Sequence, residues 1–366
     1  MEKVKKILII NTGTYFVNGI SNVITTYLKY LDLTSLSVYV TSYGCIDPIY
    51  KDIFNRKNIT IIDVPNRKKK TFFYYNVLKK IMKEYKFDTI HIHGNSGTMY
   101  LEVKAAKKAK VPNIIVQAHN SFCSLPFIFG HNSFYAKKLC KNSTCRIAIS
   151  KLVGDWLFGN DYIILNNAID ISKFTYNLNI RNEIRNKYKI GKNTFVIGHF
   201  GCFNKQKNQL FLIDVFEEYL KFNPNSYMIL GGDGPNFQAC KNRIVSKNLN
   251  DKILLLGKID NTYDFYNTFD IFVLPSLWEG LGIVNIEAQS NGLPCLVSNV
   301  VASDANVSDR FFVENIASNA IEWAKKIDEI RKLCINRQTN MVSMITKHGY
   351  SISSEVKKLQ KIYIGQ

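Results

Sequence analysis

The stretch that most constrains this chain runs from Asp270 to Pro294. Asp270-Ile-Phe-Val-Leu274 is a short apolar run of the buried-strand kind, and Pro275 ends it. Ser276 opens a loop in which Gly280 and Gly282 leave the backbone without side-chain cover. From Ile283 the positions Ile283, Ile286, Glu287 and Ser290 repeat at helical spacing, and Gly292-Leu-Pro294 is a Gly-then-Pro stop. A strand, a glycine loop and a helix N-terminus present unpaired N–H groups and the positive end of a helix dipole, which suit a phosphate. Glu279 and Glu287 frame the loop. Carboxylates accept hydrogen bonds from vicinal hydroxyls, so the pair fits a sugar on one side and a ribose on the other. Spacing alone also fits an ordinary strand–loop–helix unit with one surface and one core-edge glutamate.

The run Pro275-Ser-Leu-Trp-Glu-Gly-Leu-Gly-Ile-Val-Asn-Ile-Glu-Ala-Gln-Ser-Asn-Gly292 resembles the E-x(7)-E signature of retaining glycosyltransferases of family 4. The branch it looks most like builds capsular and exopolysaccharides. The resemblance implies a GT-B fold: two Rossmann-like doubly wound domains facing a cleft, with the last helix crossing back to the first domain. It implies a nucleotide-diphospho-sugar donor, with Glu279 near the donor sugar, Glu287 on the ribose and the backbone of Gly280, Leu281, Gly282 and Ile283 at the diphosphate.

The rest of the chain reads as strands alternating with helices, which by pattern alone is α/β with a mainly parallel sheet. Lys6–Ile10 is a buried-type strand, followed by a loop and a helix from Ile20. Val17-Asn-Gly-Ile20 resembles the family's glycine turn, with Asn18 in place of its first glycine and Gly19 as its second. Strands are expected at 37–42, 60–64, 87–93, 114–118 and 145–150. His91 and His93 share a strand face, which fits either a metal pair without an evident third ligand or structurally satisfied imidazoles. His119 ends a parallel strand, where such sheets place ligands, and resembles the family's strand-end histidine facing donor sugar and acceptor.

After a crossover at Asn166–Asp170, Thr194–Phe200 opens a second set of strands. In the loop Gly201-Cys-Phe-Asn-Lys-Gln-Lys-Asn208 the resemblance assigns Lys207 to the diphosphate. The family's arginine after the glycine is replaced by Cys202, and a thiol is no substitute for a guanidinium fork. Lys205 is the candidate to compensate. Lys252–Leu256 resembles the base-binding edge, Leu256 reading the nucleobase through its main chain, and Cys295–Ser298 is expected to close the sheet. The expected domains are 1–168, 169–345 and a returning helix in 346–366.

Charge narrows the partners. Residues 1–165 hold 24 Lys and Arg against 10 Asp and Glu, so they carry most of the net +19. Arg67-Lys-Lys-Lys70 beside Phe72-Phe-Tyr-Tyr75 fits an anionic membrane surface, RNA stacking, or a solvated charge run whose aromatics enter the core. A lysine-rich composition would give the same excess. The scattered cysteines form no C-x-x-C pair, and no His/Cys cluster has zinc spacing. No 18-residue apolar stretch exists. The expectation is a cytoplasmic retaining glycosyltransferase at the inner membrane face. Its donor is a nucleotide-diphospho-sugar, UDP-linked, and its acceptor a lipid-linked or other glycan. Neither metal, cofactor nor nucleic acid is expected, and helix dipole and lysine take the metal's place. The alternatives are a non-hydrolysing nucleotide-sugar 2-epimerase, whose set of cleft carboxylates and histidines is not evident, and a catalytically decayed binding protein, for which Cys202 speaks.

Overall fold

The computed structural model describes residues 4–16, 19–120, 133–259, 261–337 and 341–365. The chain forms two compact units, Met1–Ile169 with Ser351–Gln366, and Asp170–Tyr350.

The first unit is a seven-stranded sheet of β1 (Lys5–Asn11), β2 (Leu36–Ser42), β3 (Thr60–Asp63), β4 (Thr89–Gly94), β5 (Asn113–Ala118), β6 (Cys145–Ala148) and β7 (Ile163–Ile164). The order is β3-β2-β1-β4-β5-β6-β7 with every pair parallel. Period two sends Leu8 and Ile10 to a core with Tyr74, Leu78 and Met82, while Ile7 and Ile9 face Ile24 and Leu28. Both faces are covered, which is why β4 is buried at every position. The terminal helix Ile352–Ile364 adds Ile352, Val356, Leu359 and Tyr363 to the second of these cores. Burying each such side chain contributes about 1.5–3 kcal/mol.

The second unit is a six-stranded parallel sheet of β8 (Phe195–Phe200), β9 (Ser226–Gly231), β10 (Ile253–Gly257), β11 (Ile271–Leu274), β12 (Cys295–Ser298) and β13 (Phe311–Glu314). The order is β10-β9-β8-β11-β12-β13. Its core joins Ile197, Leu230, Val273 and Leu296 from the strands to Leu212, Phe216 and Trp323 from the helices. The helix Ala320–Lys332 starts at a capping box between Asn319 and Glu322.

Both sheets are doubly wound, so the expected fold class stands. Two details differ from expectation. The second sheet does not end at Cys295–Ser298, because β13 pairs with it from Phe311 to Glu314. That strand, Phe-Phe-Val-Glu, is four residues long and only partly buried, so its apolar run is too short to mark it as a strand by pattern alone. Helices Pro48–Arg56, Phe134–Asn142, Phe237–Ser246 and Val342–Lys347 stand where no helix is expected, and none is longer than ten residues.

Candidate active site

Each sheet reverses its winding once, between β1 and β4 in the first unit and between β8 and β11 in the second. Ligands of open α/β sheets bind beyond the carboxyl ends of the strands at that point. In the second unit the loops there are Gly201–Asn208 after β8 and Pro275–Gly282 after β11. Two hydrogen bonds tie them together: Leu277 N–H donates to the Gln206 carbonyl at 2.8 Å, and the Gln206 amide donates to the Trp278 carbonyl at 2.9 Å.

Lys207 and Glu279 meet across these loops as an ion pair. Both side chains are largely buried, at 15% and 11% exposure. The Lys207 backbone is fixed by Asn204, whose side-chain oxygen accepts its N–H at 3.0 Å, and the Ser276 hydroxyl donates to Glu279 at 3.2 Å. Gly201 leaves room for the lysine stem, since a Cβ there would lie 3.2 Å from Lys207 Cγ. Lys205 is exposed and makes no ion pair among the described residues, and Cys202 is exposed beside it. The Cys202 carbonyl is held from behind: Gln209 donates to it at 3.0 Å and also contacts His199 Nε2 at 3.2 Å. His199 Nδ1 lies 2.8 Å from the Val273 carbonyl. Burial lowers the His199 pKa to about 4, so this ring is neutral and Nδ1 donates.

Helix Ile283–Ser290 begins at Gly282, in the left-handed region at φ 62°, and no side chain caps it. A Cβ on Gly282 would lie 2.9 Å from Asn285 Nδ2 and 3.1 Å from Glu279 Cγ, so geometry and space both demand glycine. Gly280 carries neither demand. Leu281 is buried beside it. The uncapped first turn leaves N–H groups for an anion. Glu287, one turn on, accepts the Tyr266 hydroxyl at 2.7 Å. Burial pushes its pKa up to about 7, so it stands near half ionisation at neutrality.

The turn after β9 braces the β8 loop. Gly201 N–H donates to the Gly231 carbonyl at 3.1 Å, and Phe203 N–H to the Asp233 carbonyl at 3.0 Å. At the end of β10 the register slips between Leu255 and Gly257, leaving Leu256 outside the ladder as a bulge. It is the residue expected to read a base through its main chain.

The remaining expected site residues belong to the first unit. His119 follows β5, with its Nε2 2.9 Å from His93 Nδ1 and its own Nδ1 buried without a hydrogen-bond partner. His91 Nδ1 contacts the Tyr363 hydroxyl at 2.7 Å. Burial lowers all three histidine pKa values, His91 and His119 to about 3, so the cluster is neutral. Among the described residues no group of three or more His, Cys, Asp or Glu side chains could hold a metal ion. Gly19 opens helix Gly19–Tyr30 with open space where a Cβ would stand. Val17 and Asn18 of the expected glycine turn lie outside the described residues. Arg67 corrects the reading of the basic run: it is not a surface cation, because its guanidinium pairs with the buried Glu102 at 2.6 Å. Lys68, Lys69, Lys70, Phe72 and Phe73 are exposed, whereas Tyr74 enters the core.

Ser276, Gln206, His199, Gln209 and Tyr266 escaped the sequence reading. Ser276, Gln206 and Gln209 lie within or beside the two quoted loops, whereas His199 and Tyr266 meet the site through contacts distant in the chain.

Known proteins resemble this chain along most of its length. Residues 180–345 match the family model "Glycosyl transferases group 1", and residues 8–150 match "Glycosyl transferase 4-like". A UDP-Gal:alpha-D-GlcNAc-diphosphoundecaprenol alpha-1,3-galactosyltransferase of Escherichia coli is 28% identical over 307 residues, covering 78% of each chain. The capsular polysaccharide biosynthesis glycosyltransferase CapH of Staphylococcus aureus is 27% identical over 228 residues, 60% of this chain and 58% of that one. The structure of Anabaena HepE in complex with UDP superposes with a TM-score of 0.80 at 16% identity, covering 99% of this chain and 100% of that one.

Proposed function

The chain belongs to the group 1, family 4-like glycosyltransferases of polysaccharide and glycan synthesis, and from that premise we propose that it moves a hexose or N-acetylhexosamine from a UDP-sugar to a lipid-linked glycan with retention of configuration. The observation that carries the reading is the Lys207–Glu279 pair across the two switch-point loops, beside an uncapped helix N-terminus. A diphosphate arriving there draws Lys207 from Glu279. The lysine and the helix N–H groups then meet charge that grows on the leaving diphosphate, which lowers the barrier. Glu279, released, accepts hydrogen bonds from donor-sugar hydroxyls, and Glu287 accepts them from the ribose. Lys205 supplies the second cation in place of the family arginine.

His119 is assigned to sugar and acceptor on the family resemblance alone. The mechanism needs no divalent ion, and same-face attack on the departing ion pair needs no protein nucleophile. The UDP bound to HepE and the UDP-Gal and diphosphoundecaprenol in the Escherichia coli relative's name support the choice of nucleotide and acceptor class. A lipid-linked acceptor sets the work at the inner face of the membrane. No helix among the described residues is long and apolar enough to cross one.

The test is a panel of UDP-sugars with polyprenyl-diphosphate-linked sugars as acceptors, with and without EDTA, and the anomeric configuration of the product read by NMR. A retained anomer formed in EDTA is expected. An inverted product, or an epimerised nucleotide-sugar without transfer, would contradict the reading.

A further inference from the structure

We propose that Arg337 is a positioning residue of the donor site, a guanidinium that ties Tyr266 to the helix carrying Glu287 and thereby sets the hydrogen bond between them. The proposal rests on the assignment of Glu287 to the ribose and says what keeps that carboxylate in place.

The pair spans two short elements. Tyr266 ends the five-residue helix Thr262–Tyr266, and Glu287 lies on the eight-residue helix Ile283–Ser290. Between them run β11 and the glycine loop. Helices this short are not stable by themselves, so their mutual placement depends on what binds their ends. The Tyr266 hydroxyl donates to Glu287 at 2.7 Å and also reaches the Val284 carbonyl at 3.3 Å. Arg337 grips the carboxyl end of both helices. Its Nη2 donates to the Tyr266 carbonyl at 2.9 Å and to the side-chain oxygen of Asn291. Asn291 follows the second helix, and its own N–H donates to the Glu287 carbonyl at 3.2 Å. One guanidinium nitrogen therefore joins the main chain of the tyrosine to the residue that caps the glutamate.

Two neighbouring arginines show what Arg337 adds. Arg181 donates to the carbonyls of Asn267, Thr268 and Phe269 at 3.0 Å each, and both Arg181 and Arg185 pair with Asp270. The turn after Tyr266 is thus held without Arg337. Among the described residues neither of these two arginines hydrogen-bonds to Tyr266 or Asn291; Arg337 reaches both. A planar fork suits the task, where a lysine would be a point donor. The face of the fork stacks on Tyr176, 4.4 Å from the ring centroid. The backbone is docked as well. Gly292, at φ 73°, passes so close that a Cβ there would lie 2.9 Å from the Arg337 carbonyl oxygen, and Arg310 donates to the Asn336 carbonyl at 2.8 Å. Burial, and then Arg181, lowers the Arg337 pKa to about 9, so the clamp is charged at neutrality.

Without the clamp the hydroxyl loses its hold on Glu287. That bond favours the carboxylate, so the pH at which Glu287 ionises, about 7, should rise. The other titratable groups at the pair, the Tyr266 phenol and the Cys295 thiol, are both kept neutral by burial.

The test is carbon-13 NMR of the glutamate carboxyls in nucleotide-free protein from pH 6 to 8.5, for the wild type, R337Q, Y266F and the double variant. The Glu287 signal is identified by its loss in E287Q. Affinities for UDP and 2′-deoxy-UDP by calorimetry accompany each variant. The Glu287 midpoint should lie near 7 in the wild type and move upward in both single variants. R337Q should lose about twofold to tenfold in UDP affinity at pH 7, and with it part of the preference for UDP over 2′-deoxy-UDP. Y266F should add nothing in the R337Q background, because both changes break one bond. R337K, which keeps the length of the side chain and not the fork, repeats the comparison where R337Q fails to fold. An unmoved midpoint in the Arg337 variant, or losses that add in the double variant, would overturn the proposal. A midpoint that moves in a protein indifferent to the 2′-hydroxyl would leave the clamp standing and remove Glu287 from the ribose instead.

Discussion

Tyr266 and Glu287 show how a single buried hydroxyl tunes the site. Burial raises the Glu287 pKa to about 7, and the Tyr266 bond opposes that rise because it stabilises the carboxylate. Ribose hydroxyls donate to the ionised form. Nucleotide affinity should therefore climb as pH rises through about 7 and fall away below it. Tyr266→Phe removes only the hydroxyl, so the midpoint should move upward and affinity at pH 7 should drop, by about 0.5–1.5 kcal/mol. UDP titrations from pH 6 to 9 measure both; a flat profile in the wild type would remove Glu287 from the ribose. Glu279, Lys207 and Glu287 could be named from the sequence because each sits at a fixed offset in a local motif that resembles the family's. Tyr266 could not, since its partner lies 21 residues away and nothing local marks a tyrosine as the donor to a carboxylate.

At the scale of elements, the glycine turns decide whether the loops can hold their shape. Gly232 has φ 132°, and a Cβ there would fall 2.0 Å from the Gly201 carbonyl oxygen. That turn braces the loop carrying Lys207, so Gly232→Ala should displace it. The expected outcome is a stability loss exceeding about 1 kcal/mol, with UDP affinity falling beyond what the shift in melting temperature explains. Thermal unfolding and calorimetry on the same sample check this, and wild-type values in both would show that the brace is dispensable. The long apolar strands announce themselves by continuous Val, Ile and Leu runs. β13 has a Phe-Phe-Val run, but at four partly buried residues it is too short to be told from a loop by pattern alone. Helix Phe134–Asn142 is only nine residues long and opens on two exposed aromatics, so its buried face reduces to Ala136 and Leu139, little for a pattern to show.

The whole molecule adds one long-range dependence. The terminal helix Ile352–Ile364 completes the core of the first unit, and its Tyr363 hydroxyl reaches His91 in the middle of the sheet. Truncation before Ile352 should expose Ile24, Tyr27 and Leu28 and give an aggregating protein, whereas Tyr363→Phe should fold and cost only about 0.5–1.5 kcal/mol. Solubility and urea midpoints separate the two; a soluble, cooperative truncation would mean the helix is an accessory. The doubly wound class follows from strands alternating with helices. The order of the strands, and so the location of each switch point, does not, because pairing is set by contacts far apart in the chain. For the same reason the sequence offered Lys207 and Glu279 as separate candidates, and only the fold joins them. Their union at the second unit's switch point is the centre of this account. It is tested most directly by titrating UDP and uridine into the wild type and into Lys207→Ala. UDP should bind the wild type more tightly than uridine does. Lys207→Ala should lose about 1.5–3 kcal/mol for UDP while uridine affinity stays unchanged. Equal UDP affinity in the two proteins would contradict the assignment of the diphosphate to this loop.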